Sequence, residues 1–328
     1  MANINEVAKL AGVSVATVSR VLNNNYMVSD EKKQKVLDAV KELDYQPNTY
    51  AKNLRQSENK MILVVCTIMM EEALDGIKDA VQQAGYDIII DYIGFRDPKS
   101  NALKFLQSGL VGGVIFLNLL HFDDELARVM KEYPNVMCGE FLTKNPSTSV
   151  SIDDEKAAYE MTDYLIKQNK KNIAFVGLSG EFKFATDRER GYKRALFDHE
   201  YSIDNKLIVK GEYSFESGID AARKLMDSEN KPDAIFCIQD KIAAGVIEYL
   251  KENNINVPKD IIVAGFDNHE ISEMIRPKIT TVAQPFYEMG KESARALISI
   301  IKDEDHTGKR IYLNHELCVK ESTEIKND

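Results

Sequence analysis

The residues of this chain best fitted for chemistry are fitted for recognition, not for bond making. Arg20 offers a planar fork of N–H donors that can grip a guanine edge through two hydrogen bonds. Before it stand Ser14, Val15, Ala16, Thr17 and Ser19, small or short side chains that let a helix lie close against another surface. Far along the chain, Arg188 supplies a second fork, suited to a carboxylate or a pair of hydroxyls, and Asp267 supplies matching acceptors. Catalytic patterns are missing from the sequence. No Gly-x-Gly-x-x-Gly follows the first apolar run, no P-loop occurs, and Gly177-Leu178-Ser179-Gly180-Glu181 lacks the last glycine of a nucleophile elbow. The histidines His121, His199, His269, His306 and His315 show no metal spacing. An enzyme, a metal and a cofactor are therefore not expected.

Short helices must hold the first group of residues. Asn3 and Glu6 have capping-box spacing, so the first helix runs from Asn3 to Leu10 and ends at Ala11-Gly12. Ser14 is a good N-cap for a second helix, whose Val18, Val21 and Leu22 share one face. Helix, tight glycine turn and a helix with a polar outer face make a helix-turn-helix, whose second helix enters a major groove. Ser29 is expected to cap a third helix over 29–44, with Val36, Leu37, Val40 and Leu43 as its apolar stripe. Pro47 stops that helix, and Asn48 can cap a short one that is too short to be stable alone. Residues 56–60 are a polar linker.

The wording of this segment, from Asn5-Glu6-Val7-Ala8 through Gly12-Val13-Ser14-Val15-Ala16-Thr17-Val18-Ser19-Arg20-Val21-Leu22-Asn23, resembles the head of lactose-repressor (LacI/GalR) family regulators. The Val15-Ala16 pair looks most like the galactose-repressor side of that family. The resemblance implies sequence-specific binding to double-stranded DNA, with Ser14, Val15, Ala16, Thr17, Ser19, Arg20 and Asn23 at the interface. It continues through Tyr45-x-Pro47-Asn48 and Ala51-x-x-Leu54. In the family this is a hinge helix that orders on operator DNA in the minor groove. Leu54 then matches the leucine that wedges into the central base step, Ala51 permits close approach, and Asn48 and Arg55 match contact positions.

The chain has 328 residues and a net charge of −10. Residues 1–58 hold eight Lys and Arg against seven Asp and Glu, and the rest holds 34 against 45. The acidity thus belongs to the body, which need not touch DNA. The head is only weakly basic, so affinity must come from placed contacts and from two heads per site. No run reaches the length of a membrane span, and the N-terminus does not read as a signal peptide. Cys66, Cys138, Cys237 and Cys318 are scattered and read as buried free thiols. The expected compartment is the cytoplasm.

From residue 61 apolar strands alternate with amphipathic helices, which predicts parallel sheets covered by helices. There are too many strands for one ordinary sheet. The fold class is α/β: an all-α helix-turn-helix head on a two-lobed, doubly wound core that resembles the periplasmic-binding-protein type I core of the family. The head is placed at 1–46, the hinge helix and linker at 47–60 and the core at 61–328. Lobe one takes about 61–155 and 284–312, and lobe two about 156–283 and 313–328.

Doubly wound sheets bind ligands beyond the carboxyl ends of their strands. Arg188-x-x-Gly191-Tyr192 matches the family's effector-binding arginine, and Gly265-Phe266-Asp267 matches a motif whose aspartate accepts ligand hydroxyls. Gln239 replaces the commoner Asn before Asp240, and Asp240 is expected to cap the following helix. Tyr213 stands where purine-type relatives carry a stacking aromatic. Asp153 either points into the cleft or caps a helix. The stretch Ile279 to Pro285, with Gly290, matches a family signature and looks structural. The loop Cys66-Thr67-Ile68-Met69-Met70 is shorter than usual, so Met69 either lines the pocket or packs the core. These residues predict a repressor that binds a pseudo-palindromic operator as a homodimer, switched by a sugar-like effector. An activator or dual regulator, a nucleobase-type ligand and a protein co-effector stay open as alternatives. A stand-alone solute-binding protein would not need residues 1–58.

Overall fold

The computed structural model describes residues 3–22, 28–44, 60–93, 99–118, 124–139, 147–180, 182–303 and 308–324. Residues 1–59 and 60–328 form two compact units.

In the first unit, α1 (Ile4–Ala11) begins at a complete capping box. Asn3 accepts from the Asn5 and Glu6 amides at 2.9 and 3.2 Å, and Glu6 accepts from the Asn3 amide at 2.9 Å. Gly12 closes α1 in the left-handed region at φ 61°, where a side chain would be strained. The Ser14 hydroxyl then accepts from the Thr17 amide at 3.2 Å and starts α2 (Val15–Leu22). Val7, Ala8, Ala11, Val18 and Val21 meet Val36 and Ala39 of α3 (Asp30–Glu42) in a small core. Two expectations need correction. Ser29 holds the N-cap position of α3 without a side-chain bond, and Leu37 faces outward while Ala39 faces in.

The second unit contains two parallel sheets. The first has six strands in the order β11-β5-β4-β3-β1-β2: β1 (Met61–Cys66), β2 (Asp87–Tyr92), β3 (Gly113–Leu117), β4 (Asn135–Cys138), β5 (Thr148–Ile152) and β11 (Arg310–Leu313). The second has the order β7-β6-β8-β9: β6 (Ile173–Leu178), β7 (Ile208–Gly211), β8 (Ala234–Cys237) and β9 (Ile262–Ala264). An antiparallel pair, β10 (Thr281–Ala283) and β12 (Glu316–Cys318), lies where the chain passes between the sheets. Strands β1, β3, β6 and β8 are buried throughout, as continuous apolar runs with helices on both faces should be.

Helices pack in close pairs. In the first lobe α4 (Glu71–Gln83) lies against α12 (Phe286–Ile301), with α5 (Ala102–Gln107) and α6 (Asp124–Glu132) on the other face. The α4–α12 pair approaches so closely that a Cβ on Gly290 would stand 2.0 Å from the Ala73 carbonyl oxygen. In the second lobe α7 (Asp154–Lys167) pairs with α8 (Lys183–Asp198), and α9 (Phe215–Met226) with α10 (Asp240–Glu252). A short α11 (Ile271–Met274) follows β9. Helix α8 starts at Lys183, which puts Arg188 in its second turn.

Candidate functional site

The face presented by α2 is the candidate nucleic-acid interface. Ser14, Ala16 and Arg20 are exposed, Thr17 and Ser19 half-buried, and Val15 partly turned into the head core. Helix α2 therefore offers small residues near its start and one arginine a turn later. Asn23, Asn48, Ala51, Leu54 and Arg55 lie outside the described residues.

In the body, an aromatic row runs through the second lobe and ends under Arg188. Phe175 stacks on Tyr192 at 5.2 Å and meets Phe236 edge-on at 5.4 Å, and Phe236 adjoins Phe266 at 6.5 Å. The Arg188 guanidinium lies 3.5 Å over the Phe266 ring. Its Nε donates to Asp154 Oδ1 at 2.7 Å. Its Nη1 donates to the Ile238 carbonyl at 2.8 Å and to Asp267 Oδ1 at 3.3 Å. One buried cation thus ties the start of α7, the end of β8 and the loop after β9. Burial pushes the Asp154 carboxyl up to about 6, against the pull of Arg188 beside it.

Asp267 is held by its backbone. Its φ of 100° and the 57° of Asn268 are both in the region that favours glycine, and its amide donates to the Val282 carbonyl at 2.8 Å. Gln284 Nε2 donates to Asp267 Oδ1 at 2.7 Å. Gly265 belongs here because a Cβ would stand 2.2 Å from Asp240 Oδ1. Asp240 is fully buried, accepts from the Thr281 hydroxyl at 2.6 Å and the His269 amide at 2.8 Å, and its carboxyl is pushed well above the usual range by burial. It fastens the loop to β10, which corrects the expectation that it caps α10: Gln239 holds the N-cap position and the Asp240 carboxylate is turned to Thr281 and His269.

Arg188, Tyr213, Gln239 and Asp267 line one cavity of about 40 Å³ between the lobes, with Ile68, Met70, Asn118 and Gly139 on the first-lobe side. That volume holds about three waters. Outside it, and sharing Tyr213, Gln239 and Met70, opens a cavity of about 430 Å³. Met69 is half exposed and lines only this outer space, while Met70 lines both. Asp153 is not in the cleft. It is exposed and caps α7 by accepting from the Lys156 amide at 2.9 Å. Asp154, one residue and about 100° further round the helix, is the carboxylate that turns inward. The sequence reading missed Gln284, Phe286, His269 and Asn118, which all line the inner cavity. His269 stacks on Phe286 with ring centres 5.6 Å apart, a contact from the loop after β9 to the first turn of α12.

Residues 3–48 match the profile of bacterial regulatory proteins of the lacI family, and residues 162–323 match that of a periplasmic binding protein-like domain. Catabolite control protein A of Priestia megaterium is 34% identical over 327 residues, which span 98% of each chain. This chain belongs to the lacI family of bacterial regulators. The HTH-type transcriptional repressor PurR of Vibrio atlanticus is 32% identical over 333 residues and 98% of each chain. A transcriptional regulator CelR–cellobiose complex superposes with a TM-score of 0.74 at 28% identity, over 98% of this chain and 100% of that one. The lac repressor dimer bound to operator superposes at 0.84 with 24% identity, over 98% and 99%, a likeness of fold. The head of this lacI-family regulator is accordingly a DNA-binding helix-turn-helix, and its body is the ligand-binding type of core. Among the described residues no helix is long and apolar enough to cross a membrane.

Proposed function

We propose that this regulator represses transcription in the cytoplasm as a homodimer on a pseudo-palindromic operator, and that a small polar, sugar-like effector bound between its lobes switches operator affinity. It performs no catalysis. The observation that carries the reading is the inter-lobe cavity, to which Arg188, Gln239 and Asp267 are delivered by elements following β6, β8 and β9. Strand ends are where doubly wound folds bind ligands. Walls from both lobes let a ligand bias their closure, and it can do so only through unequal affinity for the two states. The inner cavity alone is far smaller than the roughly 300–1,000 Å³ of ordinary ligand sites, and the adjoining outer cavity of about 430 Å³, which shares Met70, Tyr213, Gln239 and Phe286 with it, brings the cleft into that range. The cellobiose in the CelR complex supports a sugar-like ligand.

The test is a thermal-shift screen of the full chain with sugars, nucleosides and amino acids, followed by operator titration with each hit. The reading predicts a hit that raises the melting temperature and changes operator affinity, with reciprocal coupling. Hits that stabilise the protein without altering operator affinity contradict it.

A further inference from the structure

Gln239 is 3% exposed, its Nε2 is bonded to the Tyr213 hydroxyl, and its Oε1 has no partner. It stands in the wall shared by the inner and outer cavities. A buried acceptor without a partner is satisfied by whatever occupies the site, so the occupant must donate a hydrogen bond there. The charges around it say more. Arg188 is the cation of the inner cavity, and its Nε and Nη1 donors are spent on two carboxylates and a carbonyl. In the lining of the inner cavity Asp267 offsets Arg188, and Asp154 holds the same guanidinium from outside that lining, so no uncompensated positive charge is left for an anionic ligand. The outer cavity carries Glu71, Glu72 and Glu270 against Lys241. The outer space is therefore net negative, and the inner one is balanced, with the unpaired Gln239 acceptor in the wall they share.

We propose that the effector carries an ammonium group that donates to Gln239 Oε1 at the junction of the two cavities, as an amino sugar would. This rests on reading the cleft as the effector site. A neutral polyhydroxyl parent can make the same hydrogen bond without the charge, and a phosphorylated or carboxylated relative is repelled. Charge assistance roughly doubles the strength of such a bond, so the amine binds about tenfold tighter than its parent at low salt. The outer carboxylates are exposed, so part of the gap closes as salt rises.

The experiment is calorimetry on the full chain with matched triplets: glucose, galactose and mannose, their 2-amino-2-deoxy forms, and their 6-phosphates. At least one amino sugar should bind about tenfold tighter than its parent, with its phosphate the weakest of the three. Gln239→Glu, a nearly isosteric change, should widen the preference, and Gln239→Leu should erase it. A neutral or phosphorylated member that binds tighter than its amine overturns the inference, as does silence across the nine compounds. Operator titration separates the two readings. If a neutral or phosphorylated sugar binds and shifts operator affinity, the effector site stands and the ammonium falls. If an amine binds tightly and operator affinity is unmoved, the charge preference stands and the effector role falls.

Discussion

At the scale of single residues, the cleft is held by an ion network centred on Arg188, which is 5% exposed and bonded to Asp154, Asp267 and the Ile238 carbonyl. Arg188→Ala would leave two buried carboxylates facing one another, which costs about 3–5 kcal/mol. A denaturant titration should show that loss, and an unchanged midpoint would mean the network contributes little. Asp154 has a folded pKa of about 6, above its ordinary 3.8. The folded state therefore holds the proton more tightly than the unfolded chain. The stability this group adds is full below about pH 4 and lost as pH rises through about 6, up to about 3 kcal/mol across the window. Urea melts of Asp154→Asn and the parent at pH 7, 5 and 4 should show the parent gaining on the variant as pH falls. A constant difference would contradict the assignment. The residue types were readable where a motif fixed them, as with Arg188, Gln239 and Asp267. Two adjacent aspartates, Asp153 and Asp154, were not, because either can cap a helix and only the turn of α7 decides which points inward.

Elements were legible in proportion to how apolar and long they are. Buried runs such as Met61–Cys66 and Gly113–Leu117 announce themselves. Thr148–Ile152 does not, because three of its five residues are Ser or Thr, although all five are buried. The half-exposed strands β7 and β11 are short and alternate with polar residues, so they too read as loop. Gln284 and Phe286 reach the cavity only because the chain crosses between lobes there, a fact of tertiary structure that no local pattern carries. Helix pairing is where the elements are most sensitive. Gly290→Ala forces a methyl into the Ala73 carbonyl of α4 and should destabilise the body by about 1–3 kcal/mol. Gly85, at φ 78° with open space around its Cβ position, offers a control in which only backbone strain is felt, and Gly85→Ala should cost about 1 kcal/mol. Equal melting temperatures for both variants and the parent would refute the close α4–α12 contact. On α2, Arg20→Ala should relax preference at one base pair per half-site, a loss of roughly 1–3 kcal/mol of discrimination, read by titration against single-base operator variants.

At the scale of the whole molecule, charge is divided between the parts. The head segment is nearly neutral and the remaining residues hold 45 acidic side chains against 34 basic ones, so general attraction to DNA is weak. Recognition must then rest on shaped contacts, which the proposed homodimer would make twice. The measurement that bears most directly on this is selection of DNA from a random pool by the full chain at near-physiological salt, followed by sequencing. The account predicts an enriched inverted repeat whose two half-sites have fixed spacing, because two identical heads related by a two-fold axis read the same sequence on opposite strands. A pool that stays random, or one that enriches an isolated half-site, would contradict it.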